Sequence, residues 1–135
     1  PAYIESALDV LKVERIDHGV RCVESPALVQ RLAALRMPLT VCPLSNVKLR
    51  VFSEMKQHNL KKMIDRGLMV TVNSDDPAYF GGYVADNYVA AAQALGLTRA
   101  EIVNLAKNSF HASFLAHDRK LALIAEVERY AAAAS

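Results

Sequence analysis

Apolar residues recur along the chain at two spacings, and each spacing predicts one kind of element. Repeats of three to four residues are typical of a helix with one buried face, and short apolar runs between them are typical of buried strands. The segment 12–16 and the apolar runs 39–42 and 68–72 predict three short strands. The repeats predict helices near 4–11, 26–35, 54–66, 83–95, 99–114 and 121–127.

Several helix boundaries are marked by residues with known capping preferences. Ser25 followed by Pro26 is typical of a helix start, because serine caps free N–H groups and proline suits the first turn. Thr98 and Glu101 have the spacing of a capping box. The polar segment 45–48, which lies between a strand and a helix, predicts a loop.

The order of these elements predicts the fold class. Strands that alternate with helices about every 25 to 30 residues form successive βα units with parallel strands. A complete (β/α)8 barrel has about 250 residues, so we predict that residues 1–135 form one unit, the C-terminal part of an α/β TIM barrel with additional C-terminal helices. A small open parallel sheet is the alternative. The start at Pro1, without Met and inside a helical pattern, favours the partial barrel.

The composition is that of a folded domain and narrows the expected partners. Hydrophobic residues make up 53% of the chain and charged residues 22%, as in globular proteins. The net charge is only +2, and the basic residues are scattered, so binding to nucleic acid is not expected. We see neither a membrane-spanning run nor a signal-peptide pattern. Cys22 and Cys42 lack metal-type spacing, which predicts free thiols in a reducing cytoplasm.

Polar residues stand at the ends of all three predicted strands. His18 follows the first strand, the segment 42–46 follows the second, and Asp75-Asp76 follows the third. The ends of parallel strands meet on one face of a sheet, so we expect an imidazole and two carboxylates in one cleft, a common arrangement in metal-assisted hydrolases. Adjacent carboxylates repel each other unless a cation or a substrate proton separates their charges.

These residues also have structural interpretations. The segment 17–19 can be a turn in which His18 bonds a carbonyl or caps a helix, and the segment 75–77 is also typical of a helix start. Lys48 and Arg50 are interpreted as solvated loop residues, with steering of an anionic substrate as the alternative. The remaining histidines lie on predicted helices or connections and are expected at the surface or in packing: His58, His111 and His117.

Three segments in chain order form a specific set of motifs: Arg15-Ile16-Asp17-His18-Gly19, Val41-Cys42-Pro43-Leu44-Ser45-Asn46-Val47 and Asn73-Ser74-Asp75-Asp76-Pro77. With Asn108-Ser109-Phe110 further on, they closely resemble the adenosine/adenine deaminase family, which belongs to the metal-dependent amidohydrolases on (β/α)8 barrels. The segment 45–52 is more similar to the adenine-specific branch than to the adenosine-specific branch.

The resemblance implies a role for each matching residue. Asp75 is similar to the carboxylate ligand of a single Zn²⁺ and to the group that takes a proton from the attacking water. Asp76 is similar to the residue that hydrogen-bonds N7 of the purine. His18 is similar to the imidazole that orients the attacking hydroxide and stabilises developing charge. The implied reaction is the hydrolysis of adenine to hypoxanthine and ammonia in cytoplasmic purine salvage.

The chain departs from the family pattern in what it lacks. The family carries a His-x-His pair, a further histidine ligand and a proton-donating glutamate upstream of the matching region, and no His-x-His occurs here. Glu5 and Glu14 are not substitutes, since neither lies at a predicted strand end. We therefore expect the isolated chain to bind zinc weakly and to be inactive. Adenosine deaminase, an aminodeoxyfutalosine-type deaminase and a non-catalytic α/β binding module remain alternatives, and an oligomer is possible.

Overall fold

The computed structural model describes residues 1–134, and three short parallel strands form its centre. The strands are β1 (Ile16–Asp17), β2 (Leu39–Val41) and β3 (Val70–Val72), and they lie side by side in the order β1-β2-β3. Leu39 pairs with Ile16 on one side and with Val70 on the other. Parallel neighbours joined by helical connections are the βα units predicted from the sequence.

Eight α-helices and three short irregular helices surround the strands within the described residues. The α-helices are α1 (Ala2–Ser6), α2 (Pro26–Leu35), α3 (Pro43–Lys48), α4 (Leu60–Asp65), α5 (Pro77–Phe80), α6 (Val84–Leu95), α7 (Arg99–His111) and α8 (His117–Ala133). A π-helical turn covers Ala7–Leu11, and 3₁₀ turns cover Val20–Glu24 and Met55–Gln57. No helix within residues 1–134 combines the length and the apolar character needed to cross a bilayer.

The core lies around the strands, which are buried almost throughout. Every residue of β3 is buried, and so are Leu39 and Val41 of β2. Burial on both faces is typical of parallel strands covered by helices. α4, α6 and α7 all pack against β3. Their largest buried apolar side chains join those of α2 in one cluster: Leu28, Leu32, Leu60, Met63 and Leu105.

The strands are shorter than the sequence pattern predicted. The first begins only at Ile16, because Lys12 has a left-handed backbone (φ 54°) that ends the preceding helical turn. The third begins at Val70, two residues later than predicted. Apolar runs show that a segment is buried, but they do not show where ladder hydrogen bonds begin.

Two predicted elements in the middle of the chain are wrong. The expected loop over 45–48 is part of helix α3, which begins at Pro43 and buries both Ser45 and Asn46. The expected helix over 54–66 is divided into a 3₁₀ turn and α4. Between them lies Asn59, whose buried amide donates to the carbonyl of Val20 at 2.7 Å. In both cases a polar residue is buried because it has a hydrogen-bond partner from another part of the fold.

Other helix boundaries agree with their sequence signals. Ser25 caps α2, and its hydroxyl accepts the N–H of Leu28 at 3.3 Å. Thr98 and Glu101 form the predicted capping box of α7. α6 ends at Gly96, which has a left-handed backbone (φ 65°). These signals depend on local geometry alone, which explains why they could be predicted.

Candidate active site

The ends of β1 and β3 bring His18 and Asp75 together. His18 follows β1 directly, and its backbone N–H extends the ladder by bonding the Thr40 carbonyl at 2.9 Å. The backbone N–H of Asn73, which follows β3, likewise bonds the carbonyl of Val41. The imidazole Nε2 of His18 lies 3.7 Å from Oδ2 of Asp75. The two side chains that the sequence placed at separate strand ends are therefore neighbours.

Both residues have an unusual backbone conformation. His18 has φ 60° and Asp75 has φ 58°. Side chains other than glycine seldom adopt this left-handed region, which costs about 1 to 3 kcal/mol per residue and recurs at functional sites. Gly19 continues the turn after His18 with φ 73°, and a Cβ there would come within 2.9 Å of a Leu39 methyl group. Glycine is needed at that position for both reasons.

Asp75 is held by a buried hydroxyl of α3, the helix that follows β2. The Ser45 hydroxyl, which is fully buried, donates to Oδ2 of Asp75 at 2.7 Å. The side chains of His18 and Asp75 remain 39% and 33% exposed, so both can reach a ligand. Hydrogen bonding to a carboxylate from a buried donor fixes its orientation.

The Cys42 thiol completes a group of three possible metal donors among the described residues. One ligand atom each of His18, Cys42 and Asp75 lies within 4.8 Å of the others. Burial, together with the charges of Asp75 and Asp17, raises the pKa of Cys42 to about 12. The thiol is therefore neutral beside a carboxylate. Cys42 and Cys22 are both free, as predicted, and the structure shows that both are buried.

A cavity of about 460 Å³ opens beside this cluster and is lined by Cys42, Asp75 and Asn73, among others. Its volume lies within the roughly 300 to 1,000 Å³ of small-ligand pockets. A larger cavity of about 740 Å³ lies along α7 and α8, next to Arg99 and Lys107 and away from the strand ends. The smaller cavity is the relevant one, because Asp75 and the residues Cys42 and Asn73, which directly follow β2 and β3, line it.

Asp76 has the structural role that the sequence offered as an alternative. It is exposed and caps α5, where its Oδ1 accepts the N–H of Tyr79 at 3.2 Å. Proline at the first position of α5 agrees with this helix start. The cap uses Oδ1 alone. A carboxylate has a second oxygen, which a cap of this kind leaves free for another partner.

Two further polar residues next to His18 are buried and were not assigned to the site from the sequence. Asn46 is 3% exposed, and its Nδ2 lies 3.5 Å from Nδ1 of His18. The other end of this amide, Oδ1, lies 3.0 Å from Nε2 of His58. His58 is 4% exposed, and burial lowers its pKa to about 4.

The sequence signals for these residues differed in strength. Ser45 and Asn46 follow the second predicted strand, so this position could have assigned them to the site. His58 lies 12 residues beyond Asn46, and no sequence signal indicates that it belongs there. The expectation that the other histidines lie at the surface or in packing agrees with the structure, where His111 and His117 are exposed. Lys48 and Arg50 are also exposed.

The fold and the site define a class of protein: part of a (β/α)8 barrel of the amidohydrolase type, with polar residues at the ends of its parallel strands. The chain belongs to the adenosine deaminase family, because the model of that family, described as "Adenosine deaminase", matches residues 1–130. The family and fold class expected from the sequence are thereby confirmed.

The chain is also similar to individual adenine deaminases, in line with the resemblance to the adenine-specific branch. An adenine deaminase of Streptomyces coelicolor is 61% identical over 132 residues, which cover 96% of this chain and 39% of that protein. The crystal structure of an adenine deaminase from Arthrobacter aurescens matches with a TM-score of 0.93 at 53% identity, covering 96% of this chain and 39% of that one.

A more distant structure extends the likeness. An amidohydrolase from Burkholderia ambifaria with bound Zn matches with a TM-score of 0.88 at 27% identity, covering 96% of this chain and 36% of that one. The chain thus spans about two fifths of the length of the relatives that it matches.

Proposed function

We propose that this chain supplies part of the active site of a zinc-dependent adenine deaminase, which converts adenine and water into hypoxanthine and ammonia in purine salvage. The observation that carries the proposal is the strand-end pair His18 and Asp75, 3.7 Å apart, in a chain that is 61% identical to an adenine deaminase. The remaining metal ligands and the proton donor are expected from other parts of the whole polypeptide.

The residues present fit a zinc ion. Asp75 offers a carboxylate that is partly exposed and oriented by Ser45, and the His18 imidazole lies beside it. Carboxylate oxygen and imidazole nitrogen are both common zinc ligands. Cys42 is a poorer candidate, because its pKa of about 12 keeps the thiol protonated. We assign Asp75 as the ligand. Zinc, when bound, lowers the pKa of a coordinated water toward about 7.

The chain's own residues then orient the attacking water and accept a proton from it. The water oxygen adds to C6 of adenine as one water proton passes to Asp75, and N1 receives a proton from the donor expected elsewhere in the whole polypeptide. The exocyclic nitrogen then takes the proton that Asp75 holds, the proton of the new hydroxyl group returns to the donor, and the bond between C6 and that nitrogen breaks as ammonia leaves. His18 donates a hydrogen bond to the attacking oxygen and stabilises the charge that develops on it. Asp75 accepts the water proton. Ser45 keeps the carboxylate in position for both tasks.

Asp76 is the residue that we assign to the purine. Its Oδ1 is used by the α5 cap, so Oδ2 is the oxygen that shares a proton with N7 of the base. This arrangement separates the two neighbouring carboxylates by function: one binds metal, and the other binds substrate. A bound cation and a shared proton together relieve the repulsion between the two charges.

Two finer proposals concern the setting of the reaction. We place the enzyme in the cytoplasm, where reducing conditions suit the free thiols Cys22 and Cys42. The substrate is the free base and not a nucleoside, since the S. coelicolor and A. aurescens relatives are named adenine deaminases. Adenosine, an aminodeoxyfutalosine-type substrate and no substrate at all are the competing outcomes of the test.

The test uses the whole polypeptide that carries this chain, loaded with zinc, and measures ammonia release from adenine, adenosine and aminodeoxyfutalosine. We expect kcat/KM to be at least about 100-fold higher for adenine. Asp75→Asn should lose bound metal and reduce kcat by about 1,000-fold or more, because a neutral amide is a weaker zinc ligand. Asp76→Asn should keep the metal and lower kcat/KM by about 10- to 100-fold, through the loss of a contact with the base.

One control variant and two contrary outcomes make the experiment decisive. Ser25→Ala removes the cap of α2, at a residue that is assigned no role in the site, so it shows what loss of a cap alone does to the rate, for comparison with Asp76→Asn. Equal or better turnover of another substrate would overturn the adenine assignment. Full activity of Asp75→Asn would favour a non-catalytic role for the strand-end face of this chain.

A further inference from the structure

His58 takes no part in the proposed chemistry, yet a chain of polar contacts connects it to His18. It lies between the 3₁₀ turn Met55–Gln57 and α4, and its Nε2 is 3.0 Å from Oδ1 of Asn46. The Nδ2 of the same amide lies 3.5 Å from Nδ1 of His18. Asn46 and His58 are both more than nine-tenths buried. Buried polar groups in such a network fix one another's orientation.

The direction of each hydrogen bond follows from the backbone at the far end. The N–H of Leu60 can only donate, and it lies 3.0 Å from Nδ1 of His58. That nitrogen is therefore the acceptor. Burial lowers the pKa of His58 to about 4, so the ring is neutral at pH 7 and its single proton is on Nε2.

The same logic continues through Asn46 to the site. Because Nε2 of His58 donates, the atom of Asn46 that faces it must be the oxygen, and the amide nitrogen must face His18. An amide nitrogen can only donate, so Nδ1 of His18 accepts. The proton of a neutral His18 is then on Nε2, the nitrogen that lies 3.7 Å from Asp75.

We propose that His58 is a positioning residue which, through Asn46, holds His18 in the tautomer that carries its proton on Nε2. The opposite tautomer would direct a lone pair toward the Asp75 carboxylate and could not donate to an oxygen bound between them. The effect on rate rests on the proposed function, whereas the tautomer itself is a property of the folded chain. Partners that orient a functional histidine in this way typically affect activity 10- to 100-fold.

If His58 served only in packing, no hydrogen-bond donor facing Asn46 would be required. The His58 ring contacts the Phe52 ring at a centroid distance of 4.5 Å, and any apolar side chain of similar volume could replace that contact. The bond from Leu60 would orient His58 without requiring Asn46. Only the positioning role requires that the nitrogen facing Asn46 be a donor.

The test compares replacements of His58 that differ in this donor, in the zinc-loaded whole polypeptide. His58→Met keeps the volume and removes the donor, and His58→Gln keeps an amide N–H that can reach Asn46. We expect His58→Met to lower kcat for adenine about 10- to 100-fold with KM changed by less than about 3-fold, and His58→Gln to recover most of that loss. His117→Met, at an exposed histidine on α8, is the matched control.

Nitrogen-15 NMR of labelled histidine reads the tautomer directly. We expect His18 to be protonated on Nε2 in the wild type and in His58→Gln, and to become a mixture of tautomers in His58→Met, with the zinc content unchanged. Asn46→Asp gives a second route if His58→Met does not fold. It replaces the donor facing His18 by an acceptor and should move the His18 proton to Nδ1.

The outcomes separate this inference from the proposed function. Equal loss of kcat in His58→Met and His58→Gln, or a His18 tautomer unchanged in both His58→Met and Asn46→Asp, would overturn the positioning role. If the wild type does not deaminate adenine, the proposed function fails, and the NMR measurement still decides whether His58 sets the tautomer.

Discussion

His58 is a buried neutral histidine, and burial of such a residue makes folding depend on pH. Its pKa is lowered to about 4 in the folded chain by desolvation, whereas an exposed histidine in the unfolded chain titrates near 6.5. The unfolded state therefore binds a proton more readily. The stability contributed by the neutral ring is present above about pH 6.5 and is lost as the pH falls toward about 4.

This difference gives a quantitative prediction for the whole polypeptide. Between pH 7 and pH 5 the wild type should lose about 2 kcal/mol of unfolding free energy through His58 alone. His58→Gln has no such titration. The unfolding free energy of the wild type minus that of the variant should therefore fall by that amount between pH 7 and pH 5. Urea unfolding at both pH values measures it. His117→Gln shows whether loss of any histidine has this effect, and a constant gap for His58→Gln would contradict the prediction.

At the residue scale, the sequence predicted the candidate site only where strand ends identify it. His18 and Asp75 follow β1 and β3, and their proximity was expected from parallel pairing. Ser45 was seen only as part of a polar segment, because its bond to Asp75 depends on how α3 folds over the strand ends. His58 could not be found, since only the folded chain brings it to Asn46.

At the scale of elements, α7 is connected to the sheet by one buried amide. Asn108 is 8% exposed, and its Nδ2 donates to the carbonyl of Val70 at 2.9 Å. Met69 and Asn73 use their backbone groups to bond β2, so Val70, which alternates with them, presents its carbonyl on the other side of β3. Asn108 therefore satisfies a β3 carbonyl that does not face β2, and it fixes the position of α7 against β3.

Replacement of this amide should destabilise the fold measurably. Asn108→Leu keeps a similar volume and leaves the Val70 carbonyl without this partner, which costs about 1 to 3 kcal/mol for a buried group. The midpoint of urea unfolding of the whole polypeptide is the measurement. Asn104→Leu makes the same change at an exposed position of α7 and should alter stability by less than about 0.5 kcal/mol. Equal losses of stability in both variants would contradict the role given to the hydrogen bond between Asn108 and Val70.

Elements were predictable where one local signal decides them. The capping residues of α2 and α7 and the glycine that ends α6 all agree with the structure. α3 was missed because its polar residues are buried by partners on other elements, which the local pattern does not reveal. The same cause divides the predicted helix over 54–66 at Asn59, whose amide bonds the distant Val20 carbonyl.

At the scale of the molecule, the three-stranded sheet has two outer strands within the described residues, β1 and β3. A parallel sheet in a (β/α)8 barrel has no edges, because it closes on itself. Large apolar side chains are also exposed on this chain, including Tyr3, Val10 and Phe114. Open strand edges and exposed apolar side chains both favour association with other chains.

The isolated 135-residue chain should therefore behave differently from the whole polypeptide. We expect it to associate in solution, to bind zinc at least about 100-fold more weakly and to show no adenine deamination, because a carboxylate with one imidazole beside it does not supply the four ligands that hold zinc tightly. Sedimentation, titration with zinc and an ammonia assay measure the three properties.

Addition of the separately expressed remainder of the polypeptide should restore activity if the two parts reassemble, and the same mixture carrying Asp75→Asn should stay inactive. A monomeric chain that unfolds cooperatively, binds zinc tightly and turns over adenine without the remainder would refute this view and make residues 1–135 a catalytic unit by themselves.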